Sequence, residues 1–243
     1  MKRDYLSYSA LKAFAKSPNH YLEYIERKFE PSPAMLLGSV VHMLILEPEK
    51  FDDTYAVAPE VNKRTKAGKE ELAKFSENLG AGIQVIDASV LEEAQKIAEK
   101  AKENSVVQKI LESATAYEMY VGDEIHGVEF KGYADLMSRN YVYDIKTTQD
   151  ASPTAFQRAA ANLDYHLQAT IYRELTGLPF RWIAVETSAP YNVQVYEQDE
   201  ESYELSRYRL ERLIQQFKDW DGEPESYTRD SILTLSLPKW ATY

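Results

Sequence analysis

The sequence predicts an α/β protein, a central mixed β-sheet flanked by helices with a helical N-terminal segment. Three observations predict it. The first 47 residues alternate helix signals with breaks, the period switches to β-rich runs after Tyr117, and helix and strand signals alternate from there on. At 243 residues the chain fits a single domain, with 1–47 as the helical N-terminal part and 115–200 as the sheet core.

Leu11 and Phe14 share a helical face, Ser17-Pro18 restarts the chain, and Pro31 and Pro33 precede a third apolar run, so residues 1–47 read as three short helices. From Pro48 to Gly82 the chain is polar, with an exposed basic run at Asn62-Lys63-Arg64-Thr65-Lys66 and a helix through Glu70 to Phe75. Ser89 followed by Glu92 resembles a capping box, and Leu91, Ala94, Ala98 and Ala101 predict a helix over 88–103. Tyr117 to Val121, Val128 to Met137 and Tyr141 to Thr147 read as adjacent antiparallel strands, separated by Gly127 and an Arg139-Asn140 turn. Leu167, Ile171 and Leu175 stack along a helix that ends at Gly177. Strands follow at Arg181 to Thr187 and Val193 to Tyr196. A long helix after Asp199 then sets Leu210, Leu213, Phe217 and Trp220 on one side and stops near Gly222 and Pro224.

With 44% hydrophobic and 28% charged residues, 18 Tyr and 9 Gly, the composition is that of a folding chain. No cysteine is present, which excludes disulfides, zinc-thiolate sites and iron–sulfur clusters. The start leads into no apolar signal region, and the longest apolar stretch, near Met35 to Leu46, is too short to span a bilayer, so a soluble, cytoplasmic protein with no membrane partner is expected. A net charge of −11, from 28 basic and 39 acidic residues, argues against loose adhesion to nucleic acid through global charge. Any nucleic-acid surface must therefore be local.

The informative segment is Gly132-Tyr133-Ala134-Asp135, a tight turn, then Asp144-Ile145-Lys146-Thr147-Thr148. Strand alternation puts Asp144 and Lys146 on one face and Tyr143 and Ile145 on the opposite, buried one. If the turn pairs the strands, Asp135 approaches Asp144, and the two carboxylates with the Ile145 carbonyl make an oxygen-rich site suited to Mg²⁺, with Mn²⁺ as a substitute. Such an ion would polarise a phosphate and acidify a water, while Lys146 would hold that water or neutralise developing charge, which is phosphodiester hydrolysis. Taken alone, Asp144 and Lys146 read more readily as a solvated cross-strand charge pair. Gln168 and Tyr172, at i and i+4 on one helical face, reach the same cleft and orient the DNA backbone or Lys146, or else form a surface amide and a core-edge aromatic. Lys63, Arg64, Lys66 and Lys69 read as phosphate contacts, with Arg64 suited to an end phosphate, or as a solvated basic loop.

Gly-Tyr-Ala-Asp135, Asp144-Ile-Lys146-Thr-Thr and Tyr165-His-Leu-Gln168-Ala-Thr-Ile-Tyr172 resemble the RecE-like (exodeoxyribonuclease VIII) PD-(D/E)XK nucleases. So do the runs Leu37-Gly38-Ser39-Val40-Val41-His42 and Asn62-Lys-Arg64-Thr-Lys-Ala-Gly68-Lys, so the likeness covers most of the chain from about Leu6 to Tyr172. The resemblance implies the PD-(D/E)XK fold, Asp135 and Asp144 as metal ligands, Lys146 as the catalytic lysine, and His42 as a further ligand rather than a histidine packed on an apolar helix. It also implies a metal or water-shell role for Glu118, which otherwise reads as an exposed strand glutamate.

The activity it implies is 5′ to 3′ resection of linear double-stranded DNA ends, leaving 3′ tails for a RecT-like single-strand annealing protein. The implied setting is phage recombination, with a homo-oligomeric ring, a tetramer or trimer, as the assembly. Two competing readings stay open: a RecB-type or Cas4-like nuclease of different polarity, which the absent cysteines disfavour, and a catalytically silent DNA-end-binding or docking module.

Overall fold

Three serines start the N-terminal helices. In the computed structural model, which describes residues 3–28, 30–62, 64–80, 82–224, 232 and 234–236, Ser7, Ser17 and Ser32 lie in extended backbone and accept the N–H groups of Ala10, His20 and Met35. Each satisfies a donor that the first helical turn leaves orphaned. A two-residue strand, β1 (Tyr5–Leu6), precedes them; the helices are α1 (Tyr8–Lys16), α2 (Pro18–Glu26) and α3 (Pro33–Leu46), as the sequence predicts.

A 3₁₀ turn at Pro48–Lys50 leads into α4 (Phe51–Thr54). Next, β2 (Tyr55–Val57) and β3 (Gln84–Ile86) pair in parallel as a separate small sheet, connected through α5 (Lys66–Glu77). These strands are absent from the sequence reading because three residues are too few to display a period. The helix α6 (Ala88–Glu103) spans the expected residues but is entered through Asp87. Ser89 thus lies inside the first turn, and the Ser89–Glu92 capping box is corrected. The unexpected α7 (Ser105–Glu112) follows, capped by Asn104, whose side-chain oxygen accepts the N–H groups of Val106 and Val107.

The remaining elements are β4 (Ala114–Ile125), β5 (Val128–Ser138), β6 (Val142–Thr148), α8 (Pro153–Asn162), α9 (Tyr165–Thr176), β7 (Phe180–Glu186), β8 (Val193–Glu197) and α10 (Glu200–Asp219). Gly177 ends α9 in left-handed backbone, as expected. Antiparallel pairing joins β4 to β5 along their whole length. The other edge of β5 is shared: Glu129 and Phe130 pair in parallel with β1, whereas Leu136 and Met137 pair antiparallel with β6. Residues 131–135 are left without a ladder partner on that edge, and the sheet opens there. Beyond it, β6 runs parallel to β7, which pairs antiparallel with β8.

Both faces of the sheet are covered along β6 and β7. Leu11, Phe14, Tyr21, Leu167, Ile171 and Phe217 pack over Val142 on one side. Val40, Val41, Ile45, Ile97 and Ile110 pack over Tyr143 and Ile145 on the other. Asp144 is consequently buried, at 5% exposure, although its face was expected as a cleft. No helix among the described residues is long and apolar enough to cross a membrane.

A buried carboxylate ties two loops at the far end of β6 and β7. Glu186 accepts the N–H of Ala151 and the N–H of Asn192, each at 3.0 Å. Burial would raise its pKa, but these donors outweigh it and hold the carboxyl below its usual range. A depressed folded-state pKa contributes stability that is present above the unfolded value and lost as pH falls through the folded one. Glu186→Gln is therefore expected to cost about 1–3 kcal/mol near neutral pH. In urea unfolding the gap from the parent protein should close as pH drops below about 4.

Candidate metal and nuclease site

The opening in the sheet is where the candidate residues meet. Asp135, on β5, turns its Oδ2 toward β6 and accepts the Ile145 N–H at 2.8 Å, in place of a ladder partner. From α3, His42 reaches the same point: Nδ1 lies 3.3 Å from Asp135 Oδ2, and Nε2 lies 2.7 Å from the Ile145 carbonyl oxygen. Glu118 completes the group from β4. Its backbone is left-handed, with φ of 44°, a conformation that costs a non-glycine residue roughly 1–3 kcal/mol and recurs at functional sites. Among the described residues, ligand-type atoms of His42, Glu118 and Asp135 all lie within 4.8 Å of one another.

Asp144 stands beside this trio rather than within it. Its Oδ1 accepts Lys146 Nζ at 3.0 Å and Gln168 Nε2 at 2.7 Å. Its Oδ2 is 2.8 Å from the same ammonium, but outside hydrogen-bond geometry, and no other donor reaches this buried oxygen. Tyr165 places its ring centroid 4.8 Å from Lys146 Nζ. An imidazole, carboxylates, a backbone carbonyl and a buried Asp144 oxygen that accepts no hydrogen bond form a donor set that fits a hard divalent cation.

Electrostatics agree with that fit. Burial first, and then the Asp144 carboxylate, raise the Asp135 pKa against the opposing pull of His42, Lys146 and the Ile145 N–H. Burial likewise raises Glu118. Burial alone would lower Lys146, but Asp144 and Asp135 outweigh it and raise its pKa, so it remains an ammonium at neutral pH.

Gln168 and Tyr172 do share a face of α9 but act differently from the expectation. Gln168 holds Asp144, not Lys146. Tyr172 donates its hydroxyl to the Tyr133 carbonyl at 2.8 Å and so steadies β5 from below the opening. Only glycine fits beneath that ring: a Cβ at Gly132 would lie 2.5 Å from the Tyr172 hydroxyl oxygen and 3.0 Å from Cζ. Gly132→Ala should destabilise the protein by about 1–3 kcal/mol in urea unfolding through overpacking. Adding Tyr172→Phe, which removes the nearer atom, should recover part of that loss.

The basic run predicted to meet DNA is not drawn into the site. Lys63 lies outside the described residues. The Arg64 N–H donates to the Asn62 side chain, and exposed Lys66 pairs with Glu70 at 3.8 Å. Thr65 caps α5 by accepting the Gly68 N–H, so this stretch is the entry turn of a helix. Sequence reasoning missed a different, mainly basic group: Lys12, Lys16, His20 and Arg27 line a cavity of about 450 Å³ together with Glu23, Tyr8 and Tyr24. Burial lowers the Lys12 pKa against the opposing pull of Asp164, and the positive charges of Lys16 and Lys146 add to the lowering. The available signal was the i, i+4 spacing of Lys12 and Lys16 beside the buried Leu11–Phe14 stripe.

Comparison with known proteins follows the same line. A crystal structure from Eubacterium rectale, solved as that of a candidate exonuclease, superposes with a TM-score of 0.60 at 14% identity, over 98% of this chain and 92% of that one, a likeness that shows the fold. An alkaline exonuclease from Laribacter hongkongensis matches over 88% of this chain and 92% of its own at 14% identity, but its TM-score of 0.33 carries no argument. No curated protein matches the chain. A family model described as a PDDEXK-like domain of unknown function (DUF3799) matches residues 7–226. The mixed sheet thus accords with the PD-(D/E)XK resemblance read from the sequence, and the chain belongs to the PDDEXK-like family DUF3799.

Proposed function

We propose that this protein is a divalent-metal-dependent DNA exonuclease that resects linear duplex ends 5′ to 3′ and leaves 3′ single-stranded tails. The observation that carries the reading is the opening in the sheet where His42, Glu118, Asp135 and the Ile145 carbonyl gather beside Asp144 and Lys146. His42, Asp135, Asp144 and the Ile145 carbonyl would hold Mg²⁺, or Mn²⁺ in its place, with Glu118 close enough to share it. When bound, such an ion supplies Lewis acidity toward a phosphoryl oxygen and acidifies water. Lys146 presents a fixed positive charge to the phosphate, Gln168 orients Asp144, and Tyr172 steadies the strand that carries Asp135.

The chain acts as one nuclease domain in this reading, with 1–47 supplying His42 and 115–200 supplying the sheet. The basic cavity of α1 and α2 offers phosphate contacts on the DNA path, and Arg64 and Lys66 offer more peripheral ones. The tails would pass to a RecT-like annealing protein in phage-type recombination, with a trimeric or tetrameric ring giving processivity.

Linear duplex labelled at the 5′ or the 3′ end, digested with Mg²⁺ or with EDTA beside a circular control, tests the proposal. Early release of the 5′ label from linear DNA alone, only with metal, is expected. Early 3′ release reverses the polarity, and binding without cleavage in any metal refutes the enzyme.

A further inference from the structure

Tyr120 on β4 and Tyr133 on β5 are registered opposite each other, with ring centroids 5.7 Å apart and planes at 71°. They are 49% and 61% exposed. Val121, Ile125, Phe130 and Ala134 turn into the core beneath the sheet, so alternation sets Tyr120, Gly122, Lys131 and Tyr133 on the opposite, uncovered face. Tyr120 lies along its own strand, its hydroxyl filling the space where a Gly122 side chain would stand, 2.7 Å from a Cβ there. Lys131, paired with Gly122, sets its ammonium 3.0 Å from the Tyr5 ring centroid.

This strip is continuous with the metal-ligand group. Tyr120 lies two residues beyond Glu118 and Tyr133 two residues before Asp135, about 7 Å along each strand. At the far end Glu124 and Glu129 face one another, so the charge turns negative toward the hairpin tip. Lys131 lends the strip positive charge and the Glu124/Glu129 pair repels a polyanion beyond it, which limits the occupant to a short segment. Flat aromatic faces on an open sheet suit the π-faces of unpaired bases. Duplex DNA keeps those faces stacked on each other and offers only groove edges and phosphates.

We infer that Tyr120 and Tyr133 form a base-stacking platform for an unpaired nucleotide of the strand that crosses the neighbouring carboxylates. The inference rests on the nuclease reading and deepens it. The test is equilibrium binding of the full chain in EDTA to a short oligonucleotide carrying terminal 2-aminopurine, either single-stranded or within a blunt duplex. The double variant Tyr120→Ala/Tyr133→Ala should weaken single-strand binding about tenfold and abolish the fluorescence quench, while blunt-duplex affinity stays within about twofold. Tyr120→Phe/Tyr133→Phe should retain both, because the ring and not the hydroxyl stacks. Unchanged single-strand affinity and quench in the alanine variant overturn the platform, as does an equal loss for both DNA forms. Wild-type digestion in Mg²⁺ is read separately: quenching without cleavage keeps the platform and refutes the nuclease, and cleavage without quenching does the reverse.

Discussion

Lys146→Ala is expected to slow digestion of linear duplex DNA by about 10²–10³-fold, the scale on which a preorganised donor to developing charge is lost. The Lys146 ammonium is largely withdrawn from solvent, held 2.8–3.0 Å from the two Asp144 oxygens, and kept protonated by Asp144 and Asp135. In the proposed reaction its contribution is positive charge where phosphoryl oxygens gain negative charge. Lys146→Arg should not restore the rate, since a planar guanidinium cannot occupy the space of a compact ammonium between Asp144 and the Tyr165 ring. Initial rates on end-labelled DNA measure this directly. A Lys146→Ala protein within about threefold of the parent would remove the lysine from the mechanism.

Divalent metal should raise the thermal midpoint, and this is the second large effect. Without a cation, Asp135, Glu118 and Asp144 crowd one partly buried opening, with burial holding Asp135 and Glu118 above their ordinary range. A raised folded-state pKa contributes stability that is fully present below the unfolded value, about 4, and is lost as pH rises through the folded value. The metal-free protein therefore loses this contribution on going from acid toward neutral pH, and a cation, which binds the ionised carboxylates, offsets the loss increasingly as pH rises. At a hundredfold excess over the dissociation constant the gain is about 2.7 kcal/mol, or roughly 5–10 °C for a chain of this size. Thermal melts in EDTA, Mg²⁺ and Mn²⁺ at pH 6 and 8 check both size and sign. His42→Ala and Asp135→Asn should each remove most of the shift; a shift of equal size in Asp135→Asn would place the ion elsewhere.

Much of the site is legible because its residues fall on two strands joined by a short turn. Period-two alternation and the Arg139-Asn140 turn suffice to bring Asp135 toward Asp144, and the i, i+4 spacing on α9 suffices to aim Gln168 and Tyr172 at one place. Periodicity shows that two side chains share a face but not which atom each reaches. Thus Gln168, expected to orient the DNA backbone or Lys146, bonds the same Asp144 oxygen that Lys146 holds, and Tyr172 donates to the Tyr133 carbonyl.

Sequence alone determined the mixed α/β class, the long elements, the strand pairing that brings Asp135 toward Asp144 and, through its resemblance, the PD-(D/E)XK fold. Those depend on local alternation and short turns, which neighbouring residues specify. Tertiary structure alone decided where α3 carries His42, how the split edge of β5 between β1 and β6 opens beside Asp135, and that Lys12 donates to the Leu163 carbonyl just before α9. Each of these joins segments far apart in the chain, and their meeting is set by how the two apolar cores close over the sheet, which no local period records.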